Sequence, residues 1–475
     1  MVLSKMEGNT LKYKKDLYYD VVIAGGGTAG VIAAIAAGRM GVKVLLVERL
    51  DILGGELISG LQINGTKNTV GEWILGGIPM EIINKCKGID KFTECVFDWR
   101  LIWSYEVDPV LLQIIIVDSL REAKVDVLLH TIVADVITKN NEVKALIATD
   151  GFNNFIIHGK RFVDATGDGG IAVKSGAMFD FSKKYNAKGE VQPISIIFRM
   201  NNIDIKRLLE FIRKHPKDIM LKESPVIKKT REECAEEVFK QGYPIAGLDA
   251  KGPLLKKAIV SGEMFETMGI YFMPVALSRN EIALNTTRVA DIDATRSDQI
   301  SSKLPELYFQ VDKCASFLIK NIAGFEKAKI CAVASKIGIR ETRRIIGEYI
   351  LTKDDVLSAR KFDDVVAKCG HHIDIHGSRE NQIRIPIPNG GSYDIPYRCL
   401  IPKKIENLII AGRCISCDRE ANASMRQMGT CMATGQVAGV ATVLSLRYNV
   451  FPRNLIYEKL GIELERQGVI LRGTQ

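Results

Sequence analysis

No run of apolar residues in this chain approaches the ~20 that a membrane-spanning helix needs; Ile114–Val117 is among the longest. A membrane role is therefore not expected. Met1 to Asp20 is charged and lacks the apolar centre of a secretory signal, which points to the cytoplasm. Cysteine is sparse, ten in 475 residues, too thin for a disulfide framework and without zinc-finger spacing. Reduced thiols are the expectation, with no structural metal and no ferredoxin-type cluster. No basic-aromatic patch accompanies the net charge of +9, and the excess is spread along the chain, so a solvated surface is expected and nucleic acid is not. What is present is globular: 47% hydrophobic and 25% charged residues exclude disorder. At ~150 residues per domain the length allows about three domains' worth of core.

The chain opens on a βαβ pattern. Tyr18–Ala24 is predicted as a buried strand, Gly25–Gly30 (GGGTAG) as a turn, Val31–Met40 as a small-residue helix, and Val42–Val47 as the next strand, closing at Glu48. The turn matches G-x-G-x-x-G in its proper strand–turn–helix setting. Gly25 permits the tight turn, Gly27 lets a pyrophosphate approach the backbone, and Gly30 lets the helix pack on the sheet. Thr28 and Ala29 complete the turn, and the N-terminus of the helix that follows supplies N–H donors to the phosphates. Glu48 can accept both adenosine ribose hydroxyls. A ligand-free glycine turn is the plain alternative.

After this unit Val125–Val163 changes to short β runs separated by Asn140-Asn141 and Asp150-Gly151, which predicts a β-meander. It ends at a second Gly-rich turn, Ala165–Gly170. From Lys174 to about Gly391 charged helices (Ile203–Lys214, Thr295–Ile322) alternate with strands (Ser195–Met200, Gly269–Leu277), as in an insertion with its own sheet. The C-terminal part returns to the pattern of the opening, with strand Asn407–Ala411, Gly412, a loop, and a small-residue helix from about Thr430 to Leu446. A simple NAD domain would instead continue with further βαβ units.

This order resembles the FAD-binding half of the glutathione-reductase-type flavoproteins. The stretch Ile395–Pro402, the run NLIIAGRCISCDREANASMRQMGTCMATGQVAG, Ile337–Gly347 and Phe362–His376 are together similar to the FAD-dependent oxidoreductases related to fumarate reductase flavoproteins and to the flavin subunit of heterodisulfide reductase. The resemblance covers nearly the whole chain except about 183–257. It implies an α/β fold: a Rossmann-like FAD-binding domain, parallel sheet plus β-meander, in two parts (1–175 and 393–475), with an inserted α+β substrate or cap domain (176–392). It implies FAD as cofactor, Glu48 on the ribose, and Arg49 with Gly54, Gly55 and Glu56 along the pyrophosphate and flavin. Val133 would present its backbone to adenine, and Ala165, Thr166 and Gly167 would close the adenosine side. Gly412, Arg413, Gly429, Thr430 and Cys431 belong to the C-terminal signature. The helix starting there would aim its N-terminal dipole at the flavin edge where negative charge develops on reduction.

Candidate chemistry follows from what surrounds those motifs. In Ile337–Gly347 helical spacing would bring Arg340, Arg343 and Arg344 near one face, either as a substrate clamp or as a structural ion-pair network. Arg426 stands just before the flavin-edge helix, where fumarate reductases keep an anion-binding arginine. His371, His372, Asp374 and His376 hold three of the six histidines. Three ligands so close, with no fourth, fit a metal poorly, while one histidine can serve as general acid or base. His376 is the candidate, because strand alternation sets it opposite Ile373 and Ile375. Cys414 and Cys417 form a C-x-x-C after a strand, read here as lacking the helix N-terminus that activates a thiol. The expected function is an FAD-dependent oxidoreductase passing a hydride between flavin and a small organic substrate, with an unidentified electron acceptor or donor and a possible homo-oligomeric state. The rivals are an electron-transfer subunit working with partner proteins, a tRNA-modifying flavoprotein, and a nucleotide-binding module without catalysis.

Overall fold

The computed structural model describes residues 15–181, 191–377 and 382–474. The first βαβ unit forms as its residues dictate. Lys15–Ala24 and Val44–Val47 pair in parallel, and both are buried along their apolar runs, VVIA and VLLV. Between them Thr28–Arg39 is built from Ala, Gly, Val and Ile. Asp126–Leu128 adds a parallel strand beyond Val44–Val47.

One long strand, Asn154–Asp164, holds the rest of this sheet together. It runs parallel to Lys15–Ala24 along one side. On the other side its first half pairs antiparallel with Glu142–Thr149, and its last residues pair in parallel with Leu408–Ile410. The meander is completed by Ile132–Lys139. Asn140 and Asn141 both have positive φ (53° and 61°), the two-residue turn that matches strand twist. The fold is thus a Rossmann-like α/β domain with a β-meander and additional α+β structure.

That additional structure has its own antiparallel sheet, ordered Ala246–Asp249, Gly269–Ala276, Glu281–Asn285, Phe198–Asn201, Lys329–Val333. Helices Ile205–Lys214, Arg231–Gln241 and Ser297–Asn321 accompany it, and Phe198, Phe272, Phe317 and Phe325 fill a second core. Of the stretch 183–257 that no motif assigns, residues 183–190 lie outside the described residues and the remainder supplies strands and helices of this unit. Residues between Ile345 and Ile387, which the sequence pattern groups with the middle unit, instead contribute Val365, Val366, Ile373 and Ile375 to the first core.

The C-terminal helix Met428–Arg447 lies against Thr28–Arg39. A Cβ at Gly435 would stand 2.2 Å from Ala29 O, and one at Gly439 2.3 Å from Ala33 O, so glycine sets how closely the two helices approach. By length and composition this helix could cross a membrane, although its interspersed Thr, Ser and Gln break any purely apolar run. Here 94% of its most apolar stretch is buried inside the molecule. It is a core helix.

Candidate active site

A cavity of about 510 Å³ extends from the Gly25–Ala29 turn to the His371–His376 segment. At the first end Gly25 takes φ +97° and its N–H donates to Val47 O at 2.8 Å. Gly30 cannot carry a side chain, since a Cβ would sit 1.8 Å from Gly25 O. At Gly27 a Cβ would meet no protein atom within 4 Å, so the turn leaves open space where a pyrophosphate needs it. Glu48 is buried at the end of its strand. Gly26 N–H donates to its Oε2 (2.6 Å) and Leu50 N–H to its Oε1 (2.9 Å), which aims the carboxylate while leaving lone pairs for ribose hydroxyls.

The turn after Asn154–Asp164 is built on Asp164. Its carboxylate accepts from Thr166 Oγ1 (2.6 Å) and from the N–H groups of Ile171 and Ala172 (2.8 and 2.9 Å). Arg413 clasps this turn from the C-terminal strand, donating to Gly167 O at 3.0 Å, pairing with Asp168 at 2.5 Å, and donating to Ile339 O. Glu56 pairs with Lys336 at 2.8 Å. Burial works against its charge, but Lys336, Arg413 and Arg340 outweigh it and hold the carboxyl below its usual range.

Of the residues the sequence assigns to the cofactor, Gly25, Gly27, Thr28, Ala29, Glu48, Arg49, Gly55, Glu56, Ala165, Thr166, Gly167, Gly412, Arg413 and Cys431 line the cavity. Gly30, Gly54, Val133, Gly429 and Thr430 do not. Gly54 supports the turn through its N–H to Gly26 O (2.8 Å), and Val133 faces Ala148 across the meander. Gly429 is pressed on the backbone of Asn64 and Gly65, where a Cβ would come within 2.7 Å of either carbonyl oxygen. The helix begins at Met428 with Gln427 as its N-cap, and Gln427, Met428 and Cys431 line the cavity, so the positive helix end is turned toward it.

The far end is strongly polar. Ile373–His376 pairs with Gln382–Ile385, and alternation puts Ile373 and Ile375 in the core while Asp374 and His376 line the cavity. His376 Nε2 is 2.8 Å from Asp374 Oδ2. Around Asp374 stand Arg384 (3.8 Å), Arg426 (3.8 Å) and His372 (4.0 Å), and Gln382 donates to it. Burial opposes the charge of Asp374, yet His376, His372 and Arg384 hold it well below the ordinary carboxylate range. Burial lowers His376 to about 4, only partly opposed by Asp374, so the imidazole is neutral near pH 7. His371 is likewise lowered to about 4 and stacks on His372, ring centroids 4.0 Å apart.

Arg340 and Arg426 line this end; Arg343 does not. The helical reading of Ile337–Gly347 is corrected here. Arg343–Ile345 is a strand paired with Phe179–Phe181, so successive side chains diverge. Arg343 donates to Asp168 O at 2.8 Å beside the Phe179 ring, and Arg344 is buried on Glu341 and Asp180. The C-x-x-C also needs correction: a helix, Arg419–Met425, does begin just after Cys417. Its N-cap Asp418 already accepts from Ala421 N–H, and burial raises both thiols, Cys417 to about 12. Neither is a thiolate at neutral pH.

Arg384, Arg100 and Tyr271 also line the polar end, and no motif singled them out. Arg384 faces Asp374 across the strand pair, a partnership that the matched alternation of IDIH and QIRI could have suggested. Arg100 and Tyr271 come from separate strands and loops and carry no local signal.

A family model described as FAD dependent oxidoreductase matches residues 20–464. The chain belongs to the FAD-dependent oxidoreductase family. It is an enzyme of that class and its cofactor is FAD, for which the open Gly27 cradle and the aimed Glu48 are fitting partners. A search of curated proteins found no match. Similar solved structures include a geranylgeranyl bacteriochlorophyll reductase-like protein from Thermoplasma acidophilum (13% identity, 96% of this chain and 85% of that chain covered, TM-score 0.45). Another is L-proline dehydrogenase from P. horikoshii (12% identity, 96% and 100% covered, TM-score 0.43). A third is a flavin-dependent brominase (11% identity, 94% and 83% covered, TM-score 0.44). Likeness at this level says nothing about substrate.

Proposed function

We propose that this oxidoreductase passes a hydride between FAD and a small organic substrate held at the polar end of the cavity, with His376 handling the accompanying proton. One observation carries the proposal: a single cavity joins the nucleotide cradle at Gly25–Ala29 to the His376–Asp374 pair. FAD, when bound, supplies the hydride-accepting centre; the chain supplies binding, orientation and proton control. Gly27, Glu48, Thr166 and Arg413 are the residues suited to hold the nucleotide.

Asp374 accepts from His376 Nε2, which keeps the ring proton on that nitrogen and leaves Nδ1 as the basic atom. Among the described residues the His376 ring makes its hydrogen bond through Nε2 and none through Nδ1. A neutral histidine beside a fixed carboxylate is suited to take a proton from a hydroxyl or amine as the hydride leaves, or to return one in the reverse direction. The ten free cysteines are compatible with a reducing cytoplasm as the setting, and the sequence kinship to fumarate reductase flavoproteins belongs to this proposal.

The test is anaerobic mixing of the FAD-loaded protein with sugars, hydroxy acids, amines and, after chemical reduction, unsaturated acids. Flavin absorbance should change with at least one class, and His376→Asn should slow that change by about two orders of magnitude or more. A flavin that responds to partner proteins and to no small molecule would overturn the proposal.

A further inference from the structure

Resting on the assignment of the polar end as the substrate site, we infer that the substrate carries a carboxylate, received by Arg340 and Arg426 with Arg288 behind them. The cations here outnumber their anions. Arg100 has Asp98 (3.2 Å) and Arg384 has Glu223 (2.5 Å). Arg340 makes one hydrogen bond among the described residues, to Pro193 O at 2.7 Å, and no carboxylate among them lies within 4 Å of it. Arg426 donates to Gln192 Oε1 (3.2 Å) and Asp374 O (3.3 Å), and shares the Asp374 carboxylate at 3.8 Å with His376 and Arg384. Arg288, 9% exposed, donates to Gly377 O, while its Nη1 and the Nε of Arg426 are buried without any partner among the described residues.

Buried guanidiniums without counter-charge are costly, and a native chain keeps them where a ligand completes the set. Arg340 shows the strain in its acidity: burial, Arg426 and Arg288 bring it down to about 10. Burial also lowers Arg426 and Arg288. Among the described residues Asp374 is the one carboxylate within 4 Å of this trio, so three cations face one anion. A carboxylate fits better than a neutral polar group because it restores charge balance, and a planar guanidinium meets its two oxygens in parallel.

Calorimetric titration of the oxidised, FAD-loaded protein with malonate, malonamide and inorganic phosphate tests this without turnover. Malonate should bind, and malonamide should bind at least ten-fold more weakly or not at all. Arg340→Met and Arg426→Met should each weaken malonate ten-fold or more at unchanged FAD content, and Arg426→Lys should restore part of the loss. Equal binding of malonate and malonamide, or malonate binding unmoved in the FAD-replete Lys and Met variants, overturns the inference. Phosphate binding in place of malonate overturns the choice of carboxylate. Because no reaction is required, loss of the hydride proposal would leave this binding result standing, and loss of malonate binding would leave flavin reduction by neutral substrates standing.

Discussion

At the residue scale, Glu48 shows how one side chain can serve fold and ligand together. It closes the second strand, organises two backbone N–H groups at 2.6 and 2.9 Å, and faces the cavity. Charged hydrogen bonds contribute ~1.5–3 kcal/mol each. Glu48→Ala should therefore raise the FAD dissociation constant about ten-fold or more, followed by flavin fluorescence on titration. An unchanged constant would mean that Glu48 supports only the loop. Cysteine gives a second residue-scale expectation. Eight of the ten thiols are buried, Cys95 is half-buried and Cys331 is exposed. Titration of the native protein with a chromogenic disulfide should find about one fast thiol, lost in Cys331→Ser. Rapid labelling of Cys414 or Cys417 would show that the C-x-x-C opens to solvent and would reinstate a redox role for it.

At the scale of elements, the two glycines of the dinucleotide turn should separate folding from binding. Gly27 has φ −78° and open space beside it, so Gly27→Ala should leave the thermal midpoint nearly unchanged while FAD affinity falls as the methyl enters the cradle. Gly30→Ala places a methyl 1.8 Å from Gly25 O and must push the helix off its strand, a cost on the order of 1–3 kcal/mol or more in stability. Melting with and without added FAD reads both effects; equal behaviour of the two variants would sink this division of labour. The turn was legible in the sequence because each glycine answers a local steric demand, and the meander was legible because Asn140-Asn141 marks its hairpin. The segment Ile337–Gly347 was not. Its arginines recur at helical spacing, but pairing with Phe179–Phe181, more than 150 residues away in sequence, makes Arg343–Ile345 a strand. Periodicity in a short charged stretch carries too little burial information to reveal such a partner.

At the scale of the whole molecule, the polar end of the cavity gathers Tyr271 from the five-stranded sheet, Asp374, His376 and Arg384 from the paired strands Ile373–His376 and Gln382–Ile385, and Arg100, Arg340 and Arg426 from outside any strand, which is why Arg100, Tyr271 and Arg384 were invisible to local pattern while His376 was not. That assembly also fixes how stability should respond to acid. Burial lowers His371 and His376 to about 4 and holds His372 well below its ordinary range. In the unfolded chain each binds a proton below about 6.5, whereas His371 and His376 in the folded protein do not until near pH 4. Unfolding therefore takes up protons between these limits, and His371 and His376 should each cost about 2 kcal/mol of stability at pH 5 relative to pH 7.5, with His372 acting in the same direction. Asp374 remains ionised across this window, since its folded value lies well below the usual one, and its contribution is lost only in stronger acid. Glu106 runs the other way. Burial, with Ser104 as its single partner at 2.9 Å among the described residues, raises it to about 8, so the folded carboxyl holds a proton that the unfolded one releases above about 4.5. Its stabilisation is full in acid and fades as pH rises toward 8. Three histidines against one carboxyl leave a net loss of stability on acidification from about pH 6.5 to 5. Urea unfolding at fixed excess FAD should show the midpoint falling across that interval. Glu106→Gln should steepen the fall by removing the opposing group, and His371→Gln should flatten it. A midpoint that stays level in the wild type and in both variants would show that these histidines are not held neutral by burial.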